Sequence, residues 1–269
     1  MKKDYIAVTE SSADKESLFV EEYWSQIWEK SRINDNINVM LNKKDEYKIL
    51  FPFLDKLKYR ARILDGGCGL GQWTVYLTQK GFDIAGIDIS QKTIGKLKEK
   101  FPECNFLVDD IRSTNFRDDY FNIYFSWGAF EHFEIGPGAC FKEAHRILKR
   151  GGYLFVSVPY QNKRHLRRDQ RDLFYWDNNF NNEKGYQQSM RFYQYRFTKP
   201  ELKREFEING FRCIGVKSIA KKNGIIRFMN EDLNISSTSK MYRILYRLLC
   251  AFMPREIISH LILGVGIKR

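Results

Sequence analysis

The sequence predicts an α/β fold in which seven strands form one doubly wound, mostly parallel sheet with helices on both faces. Short apolar runs alternate with helix-like runs between residues 62 and 159. Alternation at this spacing is typical of βαβ units, whose strands run parallel. Several of the apolar runs, such as "YLFVSV", lack polar residues at alternate positions. That pattern indicates strands that are covered on both sides.

The individual elements follow from local spacing and from stop signals. Residues 17–58 place aromatic and aliphatic side chains three and four positions apart, which predicts N-terminal helices. The strand "ARILDGG" and the helix "GQWTVYLTQKG" open the alternation, and Ser90 is predicted to cap the helix of "SQKTIGKLKEKF". The helix "GACFKEAHRILKRGG" is predicted to stop at its two glycines. After a break at residues 160–197 the alternation resumes and ends with the strand "HLILGVGIK".

The length of 269 residues favours one large domain with extensions over two domains. We therefore predict a single domain over residues 1–269. Its parts are a helical extension (1–59), a ligand-binding half (60–159), an inserted cap (160–197) and a second half of the sheet (198–269).

Composition and charge indicate several classes of binding partner but do not select one of them. The chain has 45 Lys and Arg against 33 Asp and Glu, a formal net charge of +12. This balance suits nucleic acid, a phosphorylated metabolite or a membrane surface, and equally a soluble basic protein. The five cysteines are scattered without a C-x-x-C pair, so no metal site is predicted and a reducing cytosol is favoured. The N-terminus lacks the apolar core of a signal peptide, and no apolar run approaches the ~20 residues of a membrane span.

A glycine-rich turn follows the first strand of the alternation, in "ILDGGCGLG". In open α/β sheets, ligands bind outside the carboxyl ends of the strands, where this turn lies. The glycines do not fit the dinucleotide pattern G-x-G-x-x-G, because Thr74 stands where a wider-spaced third glycine would be. Asp65 would also repel a pyrophosphate. The turn therefore favours a ligand that carries a cationic amine.

Acids end the next two strands as well. Asp88 ends "IAGID", where an acid grips ribose hydroxyls in nucleotide-binding sheets. The pair Asp109 and Asp110 ends the third strand. The implied ligand has an amino group, a ribose with free hydroxyls and a base with an exocyclic amine, and it has no phosphate. S-adenosylmethionine fits each of these requirements.

The ordered motifs resemble the class I S-adenosylmethionine-dependent methyltransferases, in the small-molecule branch called type 11. The matching stretches are "ILDGGCGLG", "GIDIS", "FLVDDIRSTNF", "YFNIYFSWGAFEHF", "EAHRILKRGGYLFVSVP" and "FTKPELKREFEINGF". The resemblance implies a Rossmann-like sheet with an antiparallel last strand, S-adenosyl-L-methionine as cofactor, and methyl transfer as the activity. It also implies that Asp65, Gly67 and Gly69 contact the methionine part of the cofactor. Asp88 and Ile89 would contact the ribose and the adenine, and Asp110 and Ile111 would contact the adenine. Ser126 and Trp127 would form the floor of the pocket.

The acceptor side is expected from segments outside this shared core. His132, in "FEHF", is a candidate base near the pocket mouth, although a structural role is the favoured interpretation. Trp24 and Trp28 of the N-terminal helix are candidate substrate residues that could also close over the cofactor. The segment 160–197 combines five basic residues within 163–171 with nine aromatic residues. This mixture suits an anionic, flat or sugar-like acceptor, and equally a lid or stacked RNA. Its candidate substrate residues are Tyr160, Arg167 and Arg168.

The acceptor class stays open at this stage. A small-molecule, glycan-linked or lipid-linked acceptor is the first hypothesis. The alternatives are an RNA or protein methyltransferase and a catalytically silent cofactor-binding module. Residues 240–253 form a basic amphipathic stretch that could lie on an anionic membrane or pack on the sheet. The expected location is therefore the cytoplasm, with peripheral membrane contact as one option.

Overall fold

The structure is a computed structural model that describes residues 1–8, 16–30, 41–57, 61–170, 189–235 and 240–269. The strands are β1 (Lys2–Val8), β2 (Arg62–Gly66), β3 (Asp83–Asp88), β4 (Asn105–Val108), β5 (Phe121–Trp127), β6 (Leu148–Pro159), β7 (Ser189–Arg196), β8 (Phe211–Ile219) and β9 (Leu261–Lys268). The helices are α1 (Glu16–Lys30), α2 (Asp45–Leu57), α3 (Gln72–Gln79), α4 (Gln91–Lys100), α5 (Gly138–Ile147), α6 (Lys199–Ile208), α7 (Lys221–Arg227), α8 (Lys240–Phe252) and α9 (Arg255–Ile258).

The described strands form a seven-stranded main sheet in the order β4-β3-β2-β5-β6-β9-β8. The pairs among β2 to β6 are parallel, and β9 runs antiparallel to both β6 and β8. The predicted doubly wound sheet with an antiparallel last strand is therefore confirmed. Because β2, β3 and β4 are adjacent and parallel, their carboxyl ends lie at one edge of the sheet.

Strand β5 illustrates why the central strands lack polar alternation. Successive side chains of a strand point to opposite faces. Ile123 and Phe125 belong to the apolar cluster on one face of the sheet, and Tyr124 belongs to the cluster on the other face. All three are fully buried. Both faces are covered, so apolar side chains are favoured at successive positions rather than at alternate ones.

The structure confirms one predicted helix end and differs from another. The hydroxyl of Ser90 accepts a hydrogen bond from the amide of Thr93 at 3.2 Å, which confirms the predicted cap of α4. Helix α5, however, ends at Ile147, and the two predicted stop glycines lie inside β6. The register of β6 against β5 shifts across this stretch, and Gly151 has a φ of 75°. The glycines therefore form an irregular bend at the start of the strand.

A two-stranded ribbon outside the main sheet was missed by the sequence analysis. Strand β1 pairs antiparallel with β7, which lies in the predicted cap. The Arg196 guanidinium holds the ribbon in place, since it donates to the Asp4 carboxylate at 2.9 Å and to Asp169 at 3.2 Å. The seven residues of β1 pair with a strand more than 180 positions away, so local spacing could not identify this strand.

The predicted cap is described only in part. Residues 163–170 are helical, and β7 supplies the other described element. Arg171 and five of the nine aromatic residues lie outside the described residues. These five are Phe174, Tyr175, Trp176, Phe180 and Tyr186.

Helix α8 packs away from the main sheet. Its inward side chains join an apolar cluster with residues of α7, of the following turn and of α9, including Ile225, Met229 and Ile258. The interpretation that this helix packs on the sheet is therefore wrong. Among the described residues, no helix combines the length and apolar character needed to cross a bilayer.

Candidate functional site

The glycine turn between β2 and α3 is held open by its backbone conformation. Gly67 and Gly69 have φ values of 74° and 51°, in the region that favours glycine. A Cβ atom on Gly69 would lie 2.9 Å from the Trp28 ring, and one on Gly67 would lie 2.7 Å from the Ala129 side chain. A side chain at either position would therefore collide with a neighbouring residue of the cavity lining.

Asp88, at the end of β3, fixes the shape of this turn. One carboxylate oxygen accepts from the Gly69 amide at 2.9 Å, and the other accepts from the Ser90 amide at 3.0 Å. Burial raises the pKa of Asp88, and the two amide hydrogen bonds oppose that shift. Each oxygen keeps a further lone pair, and the residue lines the adjoining cavity.

Asp65, at the end of β2, is a buried acid beside the same cavity. Its carboxylate accepts from the Thr74 hydroxyl at 2.9 Å. Burial, reinforced by the nearby Asp88, raises the pKa of Asp65 to about 7. Near neutral pH the carboxyl is therefore divided between its protonated and ionised forms, and a bound cation would favour the ionised form.

The third acid lies beyond β4 and has a partner from its own turn. Both oxygens of Asp110 accept from the Arg112 guanidinium, at distances of 2.7 to 3.1 Å. Asp109 donates its amide to the Asp88 carbonyl at 3.1 Å, which joins this turn to β3. A ligand at Asp110 would therefore share the carboxylate with Arg112.

One cavity of about 440 Å³ joins these strand ends, a size within the ~300–1,000 Å³ typical of small-molecule sites. Its described lining contains Lys44 as the one basic side chain, together with acids, aromatic rings and glycines. Eleven of the predicted site residues line it: Trp24, Trp28, Asp65, Gly67, Gly69, Asp88, Ile89, Asp110, Ile111, Trp127 and His132.

Helix α1 closes one side of the cavity. The rings of Trp24 and Trp28 stack with centroids 5.2 Å apart, and Trp24 meets the His132 ring at 4.8 Å. The helix is attached to α4 by a 2.6 Å hydrogen bond between the hydroxyls of Ser25 and Ser90. This position agrees with the prediction that the two tryptophans close over the cavity, while their role in binding stays a prediction.

His132 lies in a 3-10 turn after β5, and β7 orients its ring. Its Nδ1 is 2.7 Å from the backbone carbonyl of Tyr193. A carbonyl only accepts, so Nδ1 carries the proton and Nε2 carries the lone pair. Burial lowers the pKa of His132 to about 4, so the ring is neutral at physiological pH. Nε2 therefore carries a lone pair without a hydrogen-bond donor among the described residues, but a pKa of about 4 makes the ring a weak base in the free protein.

Glu131 lies next to this ring and is also buried. Its Oε1 is 3.9 Å from Nε2 of His132, and burial raises its pKa to about 8. A carboxyl with this pKa is mostly protonated at pH 7. The two groups are therefore neutral neighbours rather than an ion pair.

Four predicted site residues lie elsewhere. Ser126 is fully buried beneath the site without lining the cavity. Tyr160 donates its hydroxyl to Glu256 at 2.9 Å, away from the cavity. Arg167 and Arg168 lie on the helical segment 163–170, and neither lines the cavity. Arg168 is 3.9 Å from Glu231.

Two contributors to the site were missed by sequence reasoning. Tyr193 orients His132 through its backbone carbonyl, which no side-chain pattern can signal. Lys44 precedes α2, where the sequence indicated only helix periodicity. The sequence feature that could have indicated Tyr193 is its place among the aromatic residues of the segment 160–197.

Comparison with known proteins identifies the central part of the chain. Residues 64–156 match the family described as "Methyltransferase domain". An uncharacterized methyltransferase of Synechocystis is 32% identical over 94 residues, which are 34% of this chain and 43% of that protein. Phosphoethanolamine N-methyltransferase 1 of Zea mays is 30% identical over 112 residues, which are 39% of this chain and 22% of the enzyme. The chain thus spans less than half the length of these relatives.

Solved structures share the fold over nearly the whole chain. Phosphoethanolamine N-methyltransferase 2 of Haemonchus contortus, in complex with S-adenosyl-L-methionine, has a TM-score of 0.60 at 15% identity. The match covers 96% of this chain and 60% of that one. Residues 64–156 therefore match a methyltransferase domain, and the chain shares the Rossmann-like fold of these solved structures.

Proposed function

We propose that this chain, which contains a class I methyltransferase domain, transfers a methyl group from S-adenosyl-L-methionine to a neutral hydroxyl of a small acceptor. One observation carries the proposal: a single cavity joins two buried acids at a glycine turn to a neutral, oriented histidine. The acids suit the polar groups of the cofactor, and the histidine suits removal of the acceptor proton.

The lining residues offer a partner for each polar part of the cofactor. Asp65 would pair with the ammonium group, beside the open backbone of Gly67 and Gly69. Asp88 would accept from the ribose hydroxyls with its remaining lone pairs. Ile89 and Ile111 would flank the adenine, and Asp110, shared with Arg112, would accept from its amine.

Two features of the cavity lining fit this ligand. Because Gly69 has no side chain, the Trp28 ring can lie against the glycine turn where both residues line the cavity. The indole nitrogen of Trp127 is buried and has no hydrogen-bond partner among the described residues, although the ring lines the cavity. An orphaned donor of this kind costs free energy unless a ligand or water accepts from it.

His132 and the aromatic rings define the acceptor end. The bound cofactor supplies an electrophilic methyl group on a sulfonium. His132 would accept the hydroxyl proton at Nε2, while the Tyr193 carbonyl keeps the ring oriented. Trp24 and Trp28 would exclude water from this end. Such positioning can lower the barrier by several kcal/mol.

The lining favours a neutral reacting group over the anionic acceptor expected from the basic residues within 163–171. Four carboxyl groups line the cavity, whereas Lys44 is the one basic residue among the described lining residues. An anion near the methyl group would meet a negative field. The net charge of +12 then resides on other surfaces of the protein.

The test is transfer of a labelled methyl group. The protein is incubated with methyl-labelled S-adenosyl-L-methionine and with metabolite, lipid, RNA and protein fractions of a cell extract. The proposal expects label in the metabolite or lipid fraction, in an alkali-stable ether. Label confined to RNA or protein would contradict it, and label in no fraction would favour a catalytically silent module.

Cofactor affinity should rise with pH because of Asp65. Its pKa of about 7 in the free protein means that the ammonium group selects the ionised form. The cofactor amine stays charged below its own pKa, so raising the pH from 5.5 to 7 should strengthen binding roughly tenfold. Calorimetric titration at both values measures the change.

The matched variant is Asp65→Asn, which cannot ionise. It should bind more weakly at pH 7 and should lose the tenfold dependence. Asp88 titrates in both proteins, so its contribution cancels in the comparison. An equally steep dependence in the Asn variant would show that another group is responsible.

A further inference from the structure

Helix α8 exposes an apolar stripe to solvent. Ile244, Leu248 and Phe252 have 63%, 50% and 80% of their surface exposed. Met241 continues the stripe one turn earlier, with 65% exposed. These positions are spaced by three and four residues, so they lie on one side of the helix. Large side chains this exposed are normal singly, but a contiguous row indicates an interaction surface.

The stripe is not needed to hold the helix on the protein. The opposite side contributes Leu245 and Leu249 to the cluster with Ile225 and Met229. Lys221 adds a hydrogen bond of 2.7 Å to the carbonyl of Cys250. The helix is therefore anchored along one side while its other side stays available.

The charges along the helix are all basic. Arg243 and Arg247 are exposed beside the stripe, and Lys240 begins the helix. The helix sequence contains no Asp or Glu. Basic residues at the border of an exposed apolar stripe are typical of helices that lie in the interface of an anionic bilayer. At ~1.5 Å per residue the helix is about 20 Å long, so it can lie in the interface but cannot cross it.

We propose that the α8 stripe docks the protein onto an anionic lipid bilayer, with Ile244, Leu248 and Phe252 entering the interface and Arg243 and Arg247 meeting lipid phosphates. A second copy of this chain is the less suitable occupant. It would bring the same arginines and a further net charge of +12 against the surface. A bilayer instead offers apolar depth and negative charge together. The inference does not depend on the proposed reaction.

Sedimentation with vesicles tests this docking. Wild-type protein should bind vesicles of phosphatidylcholine and phosphatidylglycerol at 3:1 and should bind pure phosphatidylcholine at least tenfold more weakly. The double variant Leu248→Glu with Phe252→Glu should lose at least tenfold in binding to the anionic vesicles. Arg243→Gln with Arg247→Gln should weaken binding and reduce its salt dependence.

Ile208→Glu is the matched control, because Ile208 is 64% exposed on α6 and lies outside the stripe. It should bind like the wild type. Thermal unfolding of each variant separates loss of binding from loss of fold. Anionic vesicle binding that survives in folded Leu248→Glu/Phe252→Glu protein would overturn the proposal. So would a wild-type dimer, measured by sedimentation equilibrium, that these glutamates dissociate and that does not bind vesicles.

Discussion

Gly69→Val is expected to abolish measurable binding of S-adenosyl-L-methionine, a loss of more than about 100-fold. The new side chain would begin 2.9 Å from the Trp28 ring and extend into the space that adjoins the Asp88 carboxylate. The backbone φ of 51° also disfavours a β-branched residue. Both effects remove the open turn that the cofactor requires. Calorimetric titration measures the affinity directly.

Gly151→Val is the control that separates the steric effect in the cavity from the effect of backbone strain. Gly151 also has a positive φ, 75°, but no atom lies within 4 Å of a Cβ built there, and it lies in the bend at the start of β6. This control should lose stability through backbone strain while it keeps its cofactor affinity. If Gly69→Val binds the cofactor as well as Gly151→Val does, the glycine turn is not part of the site.

His132→Gln is expected to lower kcat by about 10²–10⁴-fold on the acceptor found in the labelled extract, since general bases contribute this much. Cofactor affinity should change less than about threefold, because among the described residues His132 makes no hydrogen bond or ion pair with Asp65, Asp88 or Asp110. The wild-type rate should fall as the pH drops through about 4, where His132 becomes protonated. The Gln variant should lack this acid limb.

His145→Gln is the matched control. His145 lies on α5 and does not line the cavity. Its substitution should leave kcat and the pH profile unchanged. If folded His132→Gln protein keeps its rate within about threefold, the imidazole orients the loop and does not take the proton.

The sequence predicted best those site residues that lie at the carboxyl ends of strands. Asp65, Asp88 and Asp110 each follow an apolar run, and adjacent parallel strands bring their ends to one edge. This reasoning needed only local pattern and the rule for ligand sites in open sheets. It correctly predicted the doubly wound sheet and the position of the cavity, whereas the antiparallel last strand was implied by the family resemblance.

The sequence was least informative where distant segments meet. The basic run at 163–171 suggested an anion site, but the acids of residues 231 and 232 lie opposite part of it. Arg164 pairs with Asp232, and Arg168 is 3.9 Å from Glu231. These partners are more than 60 positions away. In the same way, the pairing of β1 depends on a contact between the N-terminus and β7. The orientation of His132 by the Tyr193 carbonyl depends on a contact between β7 and the turn after β5.

The central claim is that the cavity at the strand ends binds S-adenosyl-L-methionine through Asp88. Calorimetric titration of the wild type, Asp88→Ala and Asp83→Ala tests it most directly, because Asp83 is an exposed acid at the other end of the same strand. We expect the wild type and Asp83→Ala to bind one cofactor equally well and not to bind NAD measurably. Asp88→Ala should lose about 1.5–3 kcal/mol, or roughly 10- to 150-fold in affinity. Unchanged affinity in folded Asp88→Ala protein, or tight binding of NAD by the wild type, would contradict the account.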